Sequence, residues 1–230
     1  MTLALRMRWQ DLAFLHWQVP LAALRPLVPE ALELDTFRDV AWVGVTPFRM
    51  TRVRLLFAPP IPTASDFPEL NVRTYVRHGR WSGVYFFSLD AASKIAVKAA
   101  RAATNLPYFH ARMKQRRVKD EVHYESRRTR GGALAAEFRA RYRPTGAVFQ
   151  SEPGSLEHWL TERYCLFVTR RGGLSRVDIE HDRWPLQPAS ADVEVNTVAL
   201  AAGIELPAEK PHVCFSRQLD VVAHLPVSAD

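Results

Sequence analysis

Cysteine and lysine are both scarce in this chain of 230 residues. The two cysteines, Cys165 and Cys214, stand alone, and neither belongs to a C-x-x-C pair. This pattern argues against a disulfide-stapled secreted domain and against a cysteine-based metal centre, because both need cysteines at short, paired spacings. We therefore expect two buried free thiols in a cytoplasmic protein.

Long apolar runs are also lacking. No segment approaches the ~20 apolar residues that a membrane-spanning helix needs, and Arg6 and Arg8 interrupt the short apolar start, which argues against a signal peptide. No Gly/Ser-rich linker, low-complexity run or internal repeat divides the chain. Because 47% of the residues are hydrophobic, a sizeable core can form. Residues 1–230 are thus predicted to be one domain without membrane contact.

The sequence contains none of the common catalytic or cofactor motifs. G-x-S-x-G, the P-loop, G-x-G-x-x-G and H-E-x-x-H do not occur, and no two of the eight histidines have the i, i+4 spacing of a helical metal site. We expect no cofactor and no metal, since a metal site would need ligands from distant segments.

The net charge of +7 comes mostly from arginine. Arginine suits bidentate recognition of carboxylates and phosphates, although a GC-rich genome would favour the same composition. The densest basic run, residues 112–119, carries no interleaved aromatic residues and matches no nucleic-acid-binding motif. It is interpreted as a solvated sheet face, and a nucleic-acid partner is not expected.

Aromatic, acidic and basic residues are most densely mixed in residues 67–113. Residues 69–76 alternate with the period of a strand, and residues 84–89 form a short apolar run typical of a strand covered on both faces. Together they predict a hairpin, followed by an alanine-rich helix over 91–104 with Asp90 as its N-cap. Asn105 and Pro107 end that helix, and Tyr108–Val118 is extended again.

The remaining pattern predicts further strands and two short helices. Arg38-Asp39 is expected to be a turn, Pro47 to break a strand, and the proline-rich residues 58–66 to form a loop beside a pocket or a plain surface connection. One helix is expected over 21–27, ended by Pro29, and Ser155 is expected to cap the other, over 156–163. The other predicted strands lie at residues 3–15, 32–35, 40–45, 51–57, 122–128, 134–142, 164–169, 174–179 and 212–225.

These segments resemble the uncharacterised YqjF-like family of bacterial proteins, which is placed in the acetoacetate decarboxylase-like superfamily. The resemblance covers residues 7–225 and is carried by PEALELD, WVGVTPFRM, ELNVRTYV, GVYFFSLDA, LPYFHARM, SLEHWLTERY and HDRWPL, in that order. It implies an α+β fold with a curved antiparallel sheet or partial β-barrel, a few short helices and a pocket.

Departures from the true decarboxylases limit what the resemblance implies about chemistry. Those enzymes use a lysine amine that forms a Schiff base. Tyr108 and Phe109 stand where their lysine pair would be, and Trp17 and Gln18 stand near the place of an active-site arginine. Glu69 matches a pocket glutamate. Decarboxylation through an imine is therefore not expected.

The candidate ligand-binding residues follow from strand parity and from the resemblance. Glu69 and His110 are also candidates for general acid–base chemistry. The alternative is that Glu69 and Arg73 pair on the surface, and that Arg101 lies on a solvated helix face. The full set is Glu69, Asn71, Arg73, Tyr85, Arg101, Tyr108 and His110.

Two functions remain open at this point. The first is a pocket protein or enzyme for a small organic acid or keto-type ligand. The second is a non-catalytic interaction protein that meets an acidic partner through an arginine-rich face. The sequence leaves the oligomeric state, including a homo-oligomer, undecided.

Overall fold

The computed structural model describes residues 4–55, 59, 65–128, 135–170 and 173–229. Most of these residues lie in strands, and the few helices are short. The described strands are β1 (Ala4–Val19), β2 (Glu33–Leu34), β3 (Ala41–Leu55), β4 (Phe67–His78), β5 (Trp81–Ala91), β6 (Tyr108–Val118), β7 (Glu121–Arg128), β8 (Ala136–Pro144), β9 (Cys165–Arg170), β10 (Gly173–His181), β11 (Leu186–Asn196), β12 (His212–His224) and β13 (Val227–Ser228).

Three α-helices and two 3₁₀ turns connect these strands within the described chain. The helices are α1 (Leu21–Leu24), α2 (Lys94–Thr104) and α3 (Leu156–Thr161), and the 3₁₀ turns are Arg25–Leu27 and Leu200–Ala202. The longest, α2, has 11 residues. No helix in the described ranges is both long and apolar enough to cross a membrane.

The strands form one curved sheet in the order β13-β10-β9-β5-β6-β7-β8-β11-β12-β1-β3-β4-β2. Additional pairings of β4 with β5 and of β10 with β12 turn the sheet back on itself. The result is a partial ring of strands and not a regular barrel. This confirms the predicted curved, mostly antiparallel sheet with a few short helices.

The strand β4 is buried almost along its whole length, so both of its faces are covered. Leu70 and Val72 pack into an apolar cluster with residues of β1, β3, β7 and β8. The opposite face borders two other clusters, one around Phe14 and Phe48 and one around Tyr75. Side chains on that second face are therefore shielded from solvent without belonging to the first cluster.

Several local predictions are confirmed. The β4–β5 hairpin forms, Ser155 caps α3 by accepting from the His158 N–H, and Asn105 ends α2 in the left-handed conformation. Arg38 and Asp39 both have positive φ between the bridged residues Phe37 and Val40, as the predicted turn requires. Cys165 and Cys214 are buried free thiols.

Other predictions were wrong. Asp90 does not cap α2, because it is a residue of β5. The cap is Ser93, whose side chain accepts a hydrogen bond from the Ala96 N–H. Pro47 does not break a strand. It lies in the middle of β3, where it is opposite Leu70 of β4. The strand β11 has no predicted counterpart. Of the proline-rich loop, residues 58 and 60–64 lie outside the described residues.

Candidate ligand-binding site

Alternate residues of β4 carry the predicted site. Glu69, Asn71 and Arg73 are opposite Phe48, Thr46 and Gly44 of β3. Side chains of directly paired residues share a sheet face, so these polar groups lie on the face that borders the two aromatic clusters. That face is interior, with Glu69 only 2% exposed. The alternative of a surface Glu69–Arg73 pair is therefore wrong.

Tyr108 reaches the same face from β6. Asn71 is opposite Leu89 of β5, and Leu89 is opposite Tyr108, so the three side chains lie on one face of the sheet. The Tyr108 hydroxyl donates a long hydrogen bond of 3.5 Å to Glu69 Oε1. The structure thus joins an acid and a phenol that are 39 positions apart in the chain.

Burial controls the ionisation of Glu69. It raises the pKa of this carboxyl from its ordinary 4.5 to about 8, against hydrogen bonds from Asn71 and Tyr108 that lower it and with a smaller increase from the charge of Asp90. Removing a carboxylate from water disfavours its charged form, which is the direction seen here. At neutral pH, Glu69 is consequently mostly a neutral acid that can donate a hydrogen bond.

Arg73 is the cation on this face. Its guanidinium donates a hydrogen bond to the Leu160 carbonyl at 3.3 Å and lies over the rings of Phe14 and Tyr75 at 5.5 and 5.7 Å. No carboxylate pairs with it among the described residues, and its buried Nε has no hydrogen-bond partner there. A cation in this setting favours an anionic neighbour.

His16 joins the site, although the sequence did not single it out. It is 1% exposed. It is opposite Gly44 of β3, which is in turn opposite Arg73 of β4, so His16 and Arg73 lie on the same face of the sheet. Its Nε2 lies 2.6 Å from the Tyr75 hydroxyl. Burial lowers the pKa of His16 well below its ordinary value, with further lowering by the charge of Arg73, so the imidazole is neutral. The sequence signal that could have identified His16 is its position as a histidine on the otherwise apolar face of a strand.

Four buried polar atoms on this face have no protein hydrogen-bond partner in the described part of the chain. They belong to four neighbouring side chains and include both donors and acceptors. The atoms are His16 Nδ1, Glu69 Oε2, Asn71 Oδ1 and Arg73 Nε. An unsatisfied buried polar group costs about 1–3 kcal/mol, so a set of four on one face needs an explanation.

Aromatic side chains border these polar groups. Phe14 meets Trp184 edge to face at 4.8 Å between ring centroids, and Trp184 stacks on Trp9 at 5.7 Å. Trp184, in the HDRWPL segment, is buried. Polar groups among aromatic walls are the usual composition of a small-molecule site.

Three predicted site residues are placed differently. Tyr85 packs on another cluster, with Phe167 and Cys165, and its ring meets Phe87 edge to face. Arg101 is exposed on α2, as its solvated-face alternative supposed. His110 of β6 is opposite Ala91 of β5, which is opposite Glu69 of β4. His110 therefore lies on the same sheet face as Glu69 but two strands away, and it is half-buried.

Asp90 forms a separate buried ion pair. Its Oδ1 accepts from Arg128 Nε at 2.9 Å, and the Arg128 guanidinium lies 4.3 Å from the centre of the Phe109 ring. Asp90 alternates with Ala91 along β5, so it points away from the Glu69 row. This pairing explains why Asp90 is not available as a helix cap.

The five lysines of the sequence are all exposed, on α2, on or beside β6, or in the segment before β12. None therefore lies on the interior face with Glu69. In the described ranges, no group of three or more His, Cys, Asp or Glu side chains is arranged to hold a metal ion.

Comparison with known proteins identifies the family. The model of the DUF2071 family, described as an uncharacterized conserved protein, matches residues 6–220. The chain belongs to this family. A DUF2071 relative, the "Uncharacterized protein YqjF" of Bacillus subtilis (strain 168), is 46% identical over 218 residues, which are 95% of this chain and 89% of the relative. The predicted family is thus confirmed.

Solved structures place this DUF2071 member among acetoacetate decarboxylase-like folds. The enduracididine biosynthesis enzyme MppR, complexed with the condensation product of pyruvate and imidazole 4-carboxaldehyde, has a TM-score of 0.67 at 11% identity and covers 97% of this chain and 88% of its own. Acetoacetate decarboxylase from Legionella pneumophila has a TM-score of 0.64 at 14% identity and covers 96% and 87%. At these identities, the likeness establishes the fold alone.

Proposed function

We propose that the interior face around Glu69 and Arg73 binds a small organic acid with a keto or similar carbonyl group, and that it does so without imine chemistry. The observation that carries the proposal is the charge balance of this face. Arg73 is a cation without a carboxylate partner among the described residues, while burial keeps Glu69 and His16 neutral. The net charge of about +1 matches a monocarboxylate.

The polar atoms without protein partners suit the two ends of such a ligand. Arg73 Nε offers a donor for a carboxylate. Protonated Glu69 offers a donor for a carbonyl oxygen, and His16 and Asn71 add further polar atoms. The Tyr108 hydroxyl holds Glu69 from the other side through its hydrogen bond to Oε1. The pyruvate-derived ligand of the MppR complex supports this ligand class, because MppR shares the fold.

The absence of imine chemistry is supported by the positions of the lysines. All five are exposed, and Tyr108 occupies the place that the resemblance assigns to the lysine pair. A phenol cannot form an imine with a carbonyl compound. If the site is catalytic, Glu69 is the candidate general acid, because a pKa of about 8 leaves a proton to give at neutral pH.

Calorimetric titration with pyruvate tests the binding proposal. The wild type is expected to bind, and Arg73→Gln to lose about tenfold or more in affinity, because a hydrogen bond to a charged group contributes about 1.5–3 kcal/mol. Arg73→Lys should recover part of the loss. Arg112→Gln, which removes an exposed arginine of β6, is the control of equal charge.

Equal affinity of Arg73→Gln and wild type would contradict the assignment, and so would an equal loss in Arg112→Gln. Borohydride treatment with pyruvate separates binding from imine formation. No covalent adduct is expected in the mass spectrum, and an adduct on any lysine would overturn the proposed chemistry.

A further inference from the structure

A second polar site lies away from the interior face, in a groove between β1, β3 and β12. The groove has a volume of about 210 Å³, several times the ~30 Å³ that one water molecule occupies in the liquid. Its lining residues are Arg6, Met7, Arg8, Arg52, Arg54 and Asp220. Four guanidinium groups therefore border one groove together with a single carboxylate.

That carboxylate is already engaged. Arg8 donates to both oxygens of Asp220, at 2.7 and 2.8 Å, and these contacts lower the pKa of Asp220. Arg6, Arg52 and Arg54 have no hydrogen-bond or ion-pair partner among the described residues. Arg6 and Arg52 act on Asp220 through their charges alone, so the groove has one carboxylate, already held by Arg8, for four guanidinium groups.

The strand register makes this arrangement costly. Arg6 is directly opposite Arg54 in the β1–β3 pairing, and like charges in that relation destabilise a sheet. Elsewhere the same protein avoids the problem: Arg139 and Arg141 of β8 pair with Glu194 and Asp192 of β11 at 2.8 and 2.7 Å. The uncompensated arginines are therefore a local feature and not simply a consequence of an arginine-rich composition.

A bulge brings Arg52 to the groove. The β1–β3 register shifts between Arg6 and Arg8, so β3 has one extra residue there. Arg52 has φ of +56°, a conformation that glycine adopts without strain and other residues adopt at a cost. Bulges commonly re-aim a side chain, and here the backbone carries an arginine at a position that favours glycine.

We propose that this groove binds a phosphate-bearing ligand. Planar guanidinium groups recognise phosphate oxygens in a bidentate manner, and three uncommitted arginines match the several negative charges of a phosphate monoester or diphosphate. The phosphate is either that of a free metabolite or that of a lipid headgroup. The site does not depend on the interior face, because none of its residues is shared with it.

Titration with pyrophosphate at constant ionic strength tests the proposal. Arg6→Gln and Arg54→Gln are each expected to weaken binding by at least about fivefold. Arg116→Gln, which removes an exposed arginine of β6 that has no hydrogen-bond or ion-pair partner among the described residues, should bind as the wild type. Normal affinity in Arg6→Gln and Arg54→Gln, or an equal loss in Arg116→Gln, would overturn the site.

Arg52→Gly separates a binding role from a structural one. It removes both the strain and one of the repelling charges, so the free protein should melt at the same or a higher temperature while pyrophosphate affinity falls. A lower melting temperature with unchanged affinity would show that Arg52 serves the fold only.

Vesicles distinguish the two sources of phosphate. If the ligand is a lipid headgroup, phosphatidic acid vesicles should bind wild type but not Arg6→Gln, with no binding to phosphatidylcholine vesicles. Absence of binding to both pyrophosphate and phosphatidic acid would refute the proposal. Tighter binding to duplex DNA than to either probe would also refute it, since the groove would then be part of a nucleic-acid surface.

Discussion

At the scale of single residues, burial sets the protonation state of Glu69. Its carboxyl is on a strand whose two faces are both covered, so the charged form loses its hydration without gaining a cation. Arg73 is two positions away on the same face, but no ion pair joins the two. Within the described residues, this face thus holds a cation without a carboxylate partner and, two positions away, a neutral acid, which is the arrangement on which the proposed anionic ligand rests.

This arrangement predicts a distinctive pH dependence of stability. The pKa of Glu69 in the folded protein, about 8, is above its ordinary value of 4.5, so the folded state holds the proton more tightly than the unfolded state. The contribution of Glu69 to the free energy of unfolding is fully present below about pH 4.5 and is lost as pH rises towards 8. Glu69→Gln cannot ionise and should not show this loss.

Urea denaturation between pH 4.5 and pH 8.5 measures the difference. Relative to Glu69→Gln, wild type should become steadily less stable up to about pH 8 and then level off. Glu205→Gln, which removes an exposed carboxylate, should follow the wild-type profile. A constant difference between wild type and Glu69→Gln would contradict the buried, proton-holding state of Glu69.

At the scale of secondary-structure elements, α2 covers one border of the site. Its buried residue, Val97, packs into the cluster that contains Phe48 and Ala91, the two strand partners of Glu69. Ser93 caps the start of the helix, where its hydroxyl accepts from the Ala96 N–H at 3.2 Å. Its stability therefore bears directly on the shielding of Glu69.

Ser93→Ala should lower the free energy of unfolding by about 1 kcal/mol, because an N-cap hydrogen bond is lost. The measurement is the urea midpoint at pH 7. Ser190→Ala, at an exposed position of β11 without a side-chain hydrogen bond in the described chain, should change stability by less than about 0.5 kcal/mol. If Asp90 were the cap, Ser93→Ala would behave like this control.

Element prediction succeeded where local signals dominate. Strand alternation located β4, a short apolar run located β5, and Asn105 marked the end of α2. It failed where a distant partner overrides the local signal. Pro47 is tolerated inside β3, and Asp90 is drawn into β5 by its ion pair with Arg128.

At the scale of the whole molecule, the sheet continues through the contact of β5 with β9. Val84 and Tyr85 pair in parallel with Leu166 and Phe167. Gly83 precedes this pairing and lies close to β9: a Cβ there would come within 2.6 Å of the Cys165 carbonyl oxygen and 2.7 Å of its Sγ. Only a residue without a side chain fits this contact.

Gly83→Ala should therefore destabilise the protein by about 1–3 kcal/mol, the usual cost of overpacking. Chemical denaturation compares it with Ser82→Ala, the exposed neighbour on the same strand, which should remain within about 0.5 kcal/mol of wild type. Wild-type stability of Gly83→Ala would mean that β5 and β9 are not held so closely.

The sequence by itself determined most of the periodic elements, the Ser155 cap, the turn at Arg38 and Asp39, and the family to which the chain belongs, because these depend on residues that are neighbours in the chain. Only the tertiary structure decided which polar groups meet. His16, Glu69, Arg73 and Tyr108 come from three strands, and their shared face depends on the register of β1 with β3, β3 with β4, β4 with β5 and β5 with β6. Burial, which keeps Glu69 and His16 neutral, arises only when those strands are assembled, because water is excluded from their side chains only then.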